Sequence, residues 1–168
     1  VVFVADHHAG TVTRIAPDHS QRTIATRLKR PIGLALDPDG RLVIAEERAG
    51  RVVRLEADGA RTAIVTGMRQ PRWLAVGDDG TVFISARHLT QDRDLEPDDE
   101  ADEPEMILAL SPGRPLRVFA DGLRQVQGLA VGEGVLYAAT RGRRSGEHVD
   151  GVVLQIPILA DGRAGPLS

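Results

Sequence analysis

The chain has 168 residues, a formal net charge of −3 at pH 7, 42% hydrophobic residues and only 3% aromatic residues. This length can bury one core, which aliphatic side chains must fill. The absence of cysteine excludes disulfides, thiolate metal sites and cysteine catalysis. The acidic balance argues against nucleic-acid binding, and no apolar run is long enough to span a membrane.

The first thirty residues contain three segments with the composition of short strands, at residues 2–5, 11–15 and 22–26. Shifting the chain by about 40 positions aligns them with the last three segments of the next unit. The columns produced by this shift include Ala5 with Ala45 and Ser85, Gly10 with Gly50, and Val12 with Val52. A fixed period near 40 built from short apolar runs indicates a repeat architecture.

Residues 31–70 form the complete repeat. Residues 32–36 are a nearly continuous apolar run, which predicts a strand buried on both faces. The turn signals at residues 37–40, 49–50 and 58–59 separate it from three further strands at 42–45, 51–55 and 62–66. Four strands joined by tight turns are typical of one β-propeller blade.

The third repeat begins at Pro71, and its counterpart in the fourth begins 55 positions later at Val126. The additional 15 residues, 91–105, lie between the second and third strands and hold nine carboxylates and one arginine. They predict a solvated, exposed acidic loop. The last repeat supplies strands at 127–131, 136–139 and 152–156 only.

The sequence therefore predicts a single all-β domain, a β-propeller with four blades at about 1–30, 31–70, 71–125 and 126–168. We call these blade 1 to blade 4. Their strand counts of three, four, four and three cannot close a ring, because neither incomplete blade supplies what the other lacks. We expect the chain to be part of a longer, six-bladed propeller, with its remaining blades as partners.

Two stretches carry a resemblance to known families. Residues 31–45 read P-x-G-L-A-L-D-x-x-G-x-L-x-x-A and resemble the NHL repeat and the wider group of gluconolactonase-like, streptogramin B lyase and sorbosone dehydrogenase propellers. Residues 122–130, GLRQVQGLA, resemble a run common in the dehydrogenases. The resemblance implies a six-bladed fold, a periplasmic or secreted location, and calcium or pyrroloquinoline quinone as cofactors to consider. The gluconolactonase-like metal site uses asparagines, and this chain has none.

The blade model predicts two different faces. The loops from second to third strand and the links between blades emerge on one side, which we call the loop face. It is predicted to carry residues 7–8, 46–48, 87–88 and 140–150, together with links 29–30, 69–73 and 124–127. The opposite turn face carries residues 37–40, 78–80 and 133–134. Only the loop face is dense in ionisable side chains, so we expect function there.

The candidate residues follow from this placement. The predicted ligand-binding set at the channel mouth is Arg72, Trp73, Gln127, Glu47, Arg87 and Arg141, with the indole available for stacking on a flat ligand. The candidate general bases are His7, His88 and His148. The spacing of Asp92, Asp94, Glu96 and Glu103 resembles a calcium loop. However, Pro97 occupies the position of its required glycine, which weakens that metal site.

Three functional classes remain open. The first is an NHL-like propeller that binds a small polar or anionic ligand, or a protein partner, on its loop face. The second, implied by the resemblance, is a quinone-dependent sugar dehydrogenase of the sorbosone type. The third is an enzyme similar to streptogramin B lyases or to lactonase-like hydrolases, with a loop histidine as base.

Overall fold

The structure, a computed structural model, describes residues 1–89, 104–145 and 148–166. These residues form sixteen β-strands and one 3₁₀ helix, Glu47–Ala49, and contain no α-helix. The predicted all-β fold is confirmed. Gly50 ends the 3₁₀ helix in the left-handed region at φ 60°, which glycine adopts without steric cost.

Fourteen of these strands form four antiparallel sheets with three, four, four and three strands, as predicted. Blades 1 and 2 contain β1 (Val2–Asp6), β2 (Thr11–Ile15), β3 (Gln21–Ala25), β4 (Pro31–Leu36), β5 (Leu42–Glu46), β6 (Arg51–Leu55) and β7 (Arg61–Thr66). Two short strands, β8 (Met68–Arg69) and β11 (His88–Leu89), pair separately. Blades 3 and 4 contain β9 (Leu74–Val76), β10 (Val82–Ala86), β12 (Glu105–Leu110), β13 (Arg117–Leu123), β14 (Val126–Gly132), β15 (Val135–Ser145) and β16 (His148–Pro157).

The strand register reproduces the repeat of the sequence. Ala5 faces Val12, and Ala45 faces Val52, at equivalent positions of blades 1 and 2. Ser85 faces Ile107 at the matching position of blade 3, although the insertion lies between them. The three pairs are equivalent although the chain between the paired residues is longer in blade 3, which confirms the predicted repeat alignment.

The core lies between successive blades, because alternate residues of a strand point to opposite faces. Leu42 and Ile44 of β5 belong to the apolar cluster shared with blade 1, whereas Val43 and Ala45 belong to the cluster shared with blade 3. Every residue of β5 is consequently buried. Between blades 3 and 4 the scarce aromatics are concentrated, with Phe83 and Phe119 packed edge to face at 5.0 Å.

The links between blades repeat a backbone conformation. Arg30, Gln70 and Gln125 each precede an inner strand and have φ values of 56°, 51° and 44°. Three residues earlier, Arg27, Gly67 and Gly122 also have positive φ, at 57°, 80° and 69°. Each link thus turns in the same way, even where the side chain is not one that favours the left-handed region.

Three details differ from the sequence-based expectations. The segment predicted as a loop at 140–150 is largely an extended hairpin, since β15 runs to Ser145 and β16 begins at His148. Glu105, predicted as the last residue of the exposed acidic loop, is buried and begins β12. The sequence did not predict that β8 and β11 pair as a separate two-stranded sheet. The rest of the predicted insertion, apart from Pro104 and Glu105, lies outside the described residues.

We expect the joint between blades 2 and 3 to be intolerant of any side chain at Gly33. A Cβ atom there would lie 2.2 Å from the backbone oxygen of Arg72, because inner strands β4 and β9 approach closely. Gly33→Ala should lower the free energy of unfolding by about 2 kcal/mol or more, measured by urea denaturation. The matched control is Gly128→Ala in the same column of blade 4, where a Cβ meets nothing within 4 Å. Equal losses in both variants would contradict this packing.

Candidate functional site

Backbone hydrogen bonds place the second-to-third-strand loops beside the links between blades. The N–H of Glu47 donates to the carbonyl of Arg30 at 3.0 Å, and the N–H of Arg87 donates to that of Arg69 at 3.0 Å. In blade 4 the N–H of Arg141 donates to Gln125 at 3.1 Å. In these three blades the loops and the links therefore share one face, as the blade model requires.

Glu46 is fully buried at the end of β5 and fixes the link that enters blade 2. Its Oε1 accepts a hydrogen bond from the N–H of Lys29 at 2.7 Å, and its Oε2 accepts one from Nε of Arg51 at 2.6 Å. The carboxylate thus satisfies a backbone donor that no strand pairs. The sequence placed Glu46 among the loop-face residues, but its side chain is directed into the structure and is 0% exposed.

Glu47 lies next to it and joins blade 2 to blade 3. Nε of Arg72 donates to Oε1 at 2.7 Å, and Nε of Arg30 lies 2.9 Å from Oε2 without the alignment of a hydrogen bond. The Glu47 side chain is 2% exposed, whereas that of Arg72 is 31% exposed. Because both arginines are partly exposed, only the carboxylate of these ion pairs is fully removed from water. Glu47 and Arg72, both members of the predicted ligand-binding set, are in direct contact.

Trp73 is held at three points. Its backbone N–H donates to the hydroxyl of buried Ser85 at 2.9 Å, and its indole Nε1 donates to the carbonyl of Val126 at 2.7 Å. The ring is half-buried and packs against the apolar cluster between blades 3 and 4. This geometry predicts a substantial stability cost for Trp73→Ala, because both packing and a hydrogen bond would be lost.

Glu105 anchors the entry to blade 4. The N–H of Val126 donates to its Oε2 at 2.9 Å, so both backbone polar groups of Val126 are bound by side chains of blade 3. Burial raises the pKa of the Glu105 carboxyl, although the Val126 hydrogen bond and the charges of Arg72 and Arg87 oppose this. Its position in the sequence, at the end of an acidic run, gave no signal of this role.

The remaining predicted ligand-binding residues lie on the same face. Arg87 is half-buried near Glu105. Arg141 and Gln127 are exposed and line one open cleft of about 640 Å³, where Nη1 of Arg141 lies 3.2 Å from Oε1 of Gln125. The ligand-binding role of all these residues stays a prediction.

The candidate bases are dispersed. His7 is exposed and stacks on His8 with ring centroids 4.0 Å apart. His88 is half-buried, with Nε2 3.4 Å from Nη1 of Arg69 and Nδ1 3.1 Å from the carbonyl of Leu89. His148 begins β16. No described contact joins any two of these three candidates, and their catalytic role stays a prediction.

Within the described ranges, no group of three or more histidine, aspartate or glutamate residues is arranged to hold a metal ion. The candidate calcium ligands Asp92, Asp94, Glu96 and Glu103 lie outside those ranges. The same part of the chain contains no helix long and apolar enough to cross a membrane.

The fold has clear relatives among solved structures. A gluconolactonase from Xanthomonas campestris superimposes with a TM-score of 0.74 at 22% identity, over 99% of this chain and 57% of that one. A luciferin-regenerating enzyme gives 0.69 at 14% identity, over 99% and 55% of the two chains. Virginiamycin B lyase from Staphylococcus aureus gives 0.64 at 14% identity, over 97% and 50%. No protein-family model matches the chain, and no curated protein matches it in sequence.

The chain therefore has the fold of the gluconolactonase-like β-propellers, as the resemblance of its repeats predicted. It spans about half the length of these structures. At such low identity the likeness establishes the fold alone.

We expect the charge on Glu105 to make stability depend on pH. Its pKa is raised above the ordinary value of 4.5, so above that pH the folded chain binds more protons than the unfolded chain. The contribution of Glu105 to the free energy of unfolding therefore falls as the pH rises through this window. Glu105→Gln keeps an acceptor for the Val126 N–H but carries no charge. Relative to the original chain, the variant should gain stability as the pH rises from about 4 to 8, in thermal unfolding curves.

The control for this experiment is Glu133→Gln, at an exposed turn of blade 4. The change with pH in the stability of Glu105→Gln should exceed the change seen in this variant, which removes a carboxyl of the same chemistry from an exposed turn. If Glu105→Gln instead lost stability steadily with rising pH, the ionised carboxylate would be stabilising and the assigned direction would be wrong.

Proposed function

We propose that this chain is part of a six-bladed propeller that binds a small, hydroxylated anion at the channel mouth on its loop face. The observation that carries this proposal is the arrangement of Arg72. Buried Glu47 holds its guanidinium by Nε, and its two terminal nitrogens have no partner among the described residues. A guanidinium fixed in this way, on a side chain that is 31% exposed, suits bidentate recognition of a carboxylate or phosphate.

Other residues of the loop face support the same ligand class. The half-buried indole of Trp73 follows Arg72 in the chain and packs toward blade 4, whereas Arg72 is held by Glu47 of blade 2, so the two side chains contribute to opposite sides of blade 3. Exposed Gln127 and Arg141 line a different cleft, together with Val153 at the outer side of blade 4, and supply an amide and a second guanidinium. No described side chain favours the dehydrogenase, the lyase or a protein partner over this binding role.

Gluconate is a suitable probe, because it is the hydroxy acid corresponding to the lactone in the name of the relative from X. campestris. We expect Arg72→Gln to weaken gluconate binding about tenfold, since a hydrogen bond to a charged group contributes about 1.5–3 kcal/mol. Isothermal titration calorimetry measures the effect. Because this variant also unpairs Glu47, Gln127→Ala serves as a second variant at an exposed site, where we expect a smaller loss.

The matched control is Arg22→Gln, which removes one positive charge from the exposed strand β3 of blade 1. It should leave gluconate binding unchanged, and uncharged glucose should bind the original chain more weakly than gluconate. Equal losses in Arg72→Gln and Arg22→Gln would show a general charge effect and overturn the assigned site.

The ring closure is the second part of the proposal. Phe3 and Ala5 of β1 pack toward blade 2, so Val2 and Val4 point away from it and are 58% and 45% exposed. In blade 4, Leu154 and Ile156 pack toward blade 3, which leaves Val153 62% exposed on the other side. Apolar faces on both outer sheets are the surfaces that further blades of the same ring would cover.

We expect Val4→Asp and Val153→Asp to leave the melting temperature of this 168-residue chain nearly unchanged. In a longer chain carrying the further blades, each substitution would place an unpaired carboxylate between two blades. Removing that charge from water should destabilise the protein by roughly several kcal/mol. The melting temperatures of both variants are measured by thermal unfolding in the 168-residue chain and in the longer chain. If the substitutions remained neutral in the longer protein, these faces would not be joints of the ring.

A further inference from the structure

A second cleft lies on the loop face, at the junction of blade 2 with the links on either side of it. It encloses about 470 Å³. The charged and polar residues that line it come from both links and from the 3₁₀ helix: Arg30, Glu47, Arg48, Arg69 and Gln70. It does not include Arg72, Trp73, Gln127 or Arg141, and it shares only Glu47 with the proposed channel-mouth site.

The cleft is positively charged. Its described lining contains three arginines and one glutamate, which leaves a formal charge of +2. The one carboxylate, Glu47, is also bound by Arg72 from outside the lining, and its side chain is 2% exposed. Its negative charge is therefore compensated within the structure, while Arg48 is exposed on the 3₁₀ helix. The field at the opening favours an anion.

Two of the lining residues carry backbone strain. Arg30 and Gln70 have φ values of 56° and 51°, where a glycine or an asparagine would be accommodated with less steric cost. A residue other than glycine in this region raises the free energy of the folded chain by about 1–3 kcal/mol. Both residues line the same cleft, and Gln125 has the same conformation at the next link, so the strain belongs to the links between blades.

Gln70 provides a further observation at this place. Its Oε1 is buried and has no hydrogen-bond partner among the described residues. Buried polar atoms are normally paired, so this orphan acceptor requires a donor, which a water or a protonated oxygen of a ligand would supply. The amide can present its N–H₂ group to an anion once it reorients about its terminal torsion.

We propose that this cleft binds a small oxyanion, with Arg30, Arg48 and Arg69 supplying charge and the Gln70 amide supplying a neutral donor. The chemistry is that of a phosphate or a dicarboxylate, because either presents two or more anionic oxygens to match a +2 lining. Glu47 acts as the positioning residue, since it fixes the guanidinium of Arg30 at 2.9 Å. The inference does not depend on the channel-mouth proposal.

The test is a titration of the ¹⁵N-labelled chain with inorganic phosphate, and separately with succinate, at constant ionic strength. We expect saturable shifts of the amide resonances of residues 47–50 and 68–70. Arg48→Gln should weaken phosphate binding about fivefold to tenfold, because it removes one charged donor without breaking a described ion pair. The control Arg22→Gln should leave the affinity unchanged. Phosphate and succinate together distinguish a phosphate-selective cleft from one that accepts any dianion.

Gln70→Asn tests the strained position. Asparagine tolerates the left-handed region better, so the melting temperature should rise, while the shorter amide should bind phosphate more weakly. A rise in melting temperature with unchanged affinity would overturn the role of Gln70. Non-saturating shifts spread over all surface arginines, or equal losses in Arg48→Gln and Arg22→Gln, would overturn the site.

The two proposals fail independently. Gln127→Ala should weaken gluconate binding and leave phosphate binding intact, and Arg48→Gln should do the reverse. If both ligands lost affinity together in either variant, a single anion site would replace the two.

Discussion

Buried carboxylates that bind the links entering blades 2, 3 and 4 are the constraint on which this structure depends. Strand residues satisfy their backbone groups within the sheets, but the links between blades have no strand partner at the points where they enter the inner strands. Glu46 accepts the N–H of Lys29 before blade 2, and Glu105 accepts the N–H of Val126 at the start of blade 4. Glu47 crosses from blade 2 to Arg72 of blade 3. The apolar clusters between blades supply most of the burial, and these acids set where the inner strands begin.

This arrangement also determines what the loop face can do. An acid that is buried and fixed on a strand end or a 3₁₀ helix holds the Nε atom of an arginine whose side chain remains partly exposed. The orientation of the guanidinium is then set before any ligand arrives, so less side-chain entropy is lost on binding. Rigid sheets with charged side chains positioned at their ends are the usual way in which a scaffold supports a site.

Much of the fold could be predicted because its signals are local. The apolar run of residues 32–36, the turn residues and the period near 40 predicted the blades and their strand counts, and the structure confirms the columns of Ala5, Ala45 and Ser85. The acidic anchors could not be predicted in the same way. Glu105 ends a run of nine carboxylates, and only the position of Val126, 21 residues away, makes it a buried acceptor. The blade model placed residues 140–150 in the loop between the second and third strands, whereas cross-strand pairing from Arg141–Gly151 to Ser145–His148 extends the hairpin.

The acidic side chains of the two faces have different hydrogen-bond partners. This difference is a stronger argument for a binding site on the loop face than the size of the clefts is. The turn face has clefts of about 470 and 540 Å³, which are comparable to those on the loop face. Its acids, however, are bound by their own turns: Asp37 accepts the N–H groups of Asp39 and Arg41, and Asp79 accepts the N–H and hydroxyl of Thr81. These bonds are local, and each of them stabilises the hairpin in which it lies. On the loop face the acids bind links and arginines from other parts of the repeat, so a ligand meets cations whose positions depend on two blades at once. The geometry of a binding site assembled in this way depends on how two blades pack together, whereas the geometry of each turn on the opposite face depends on one hairpin.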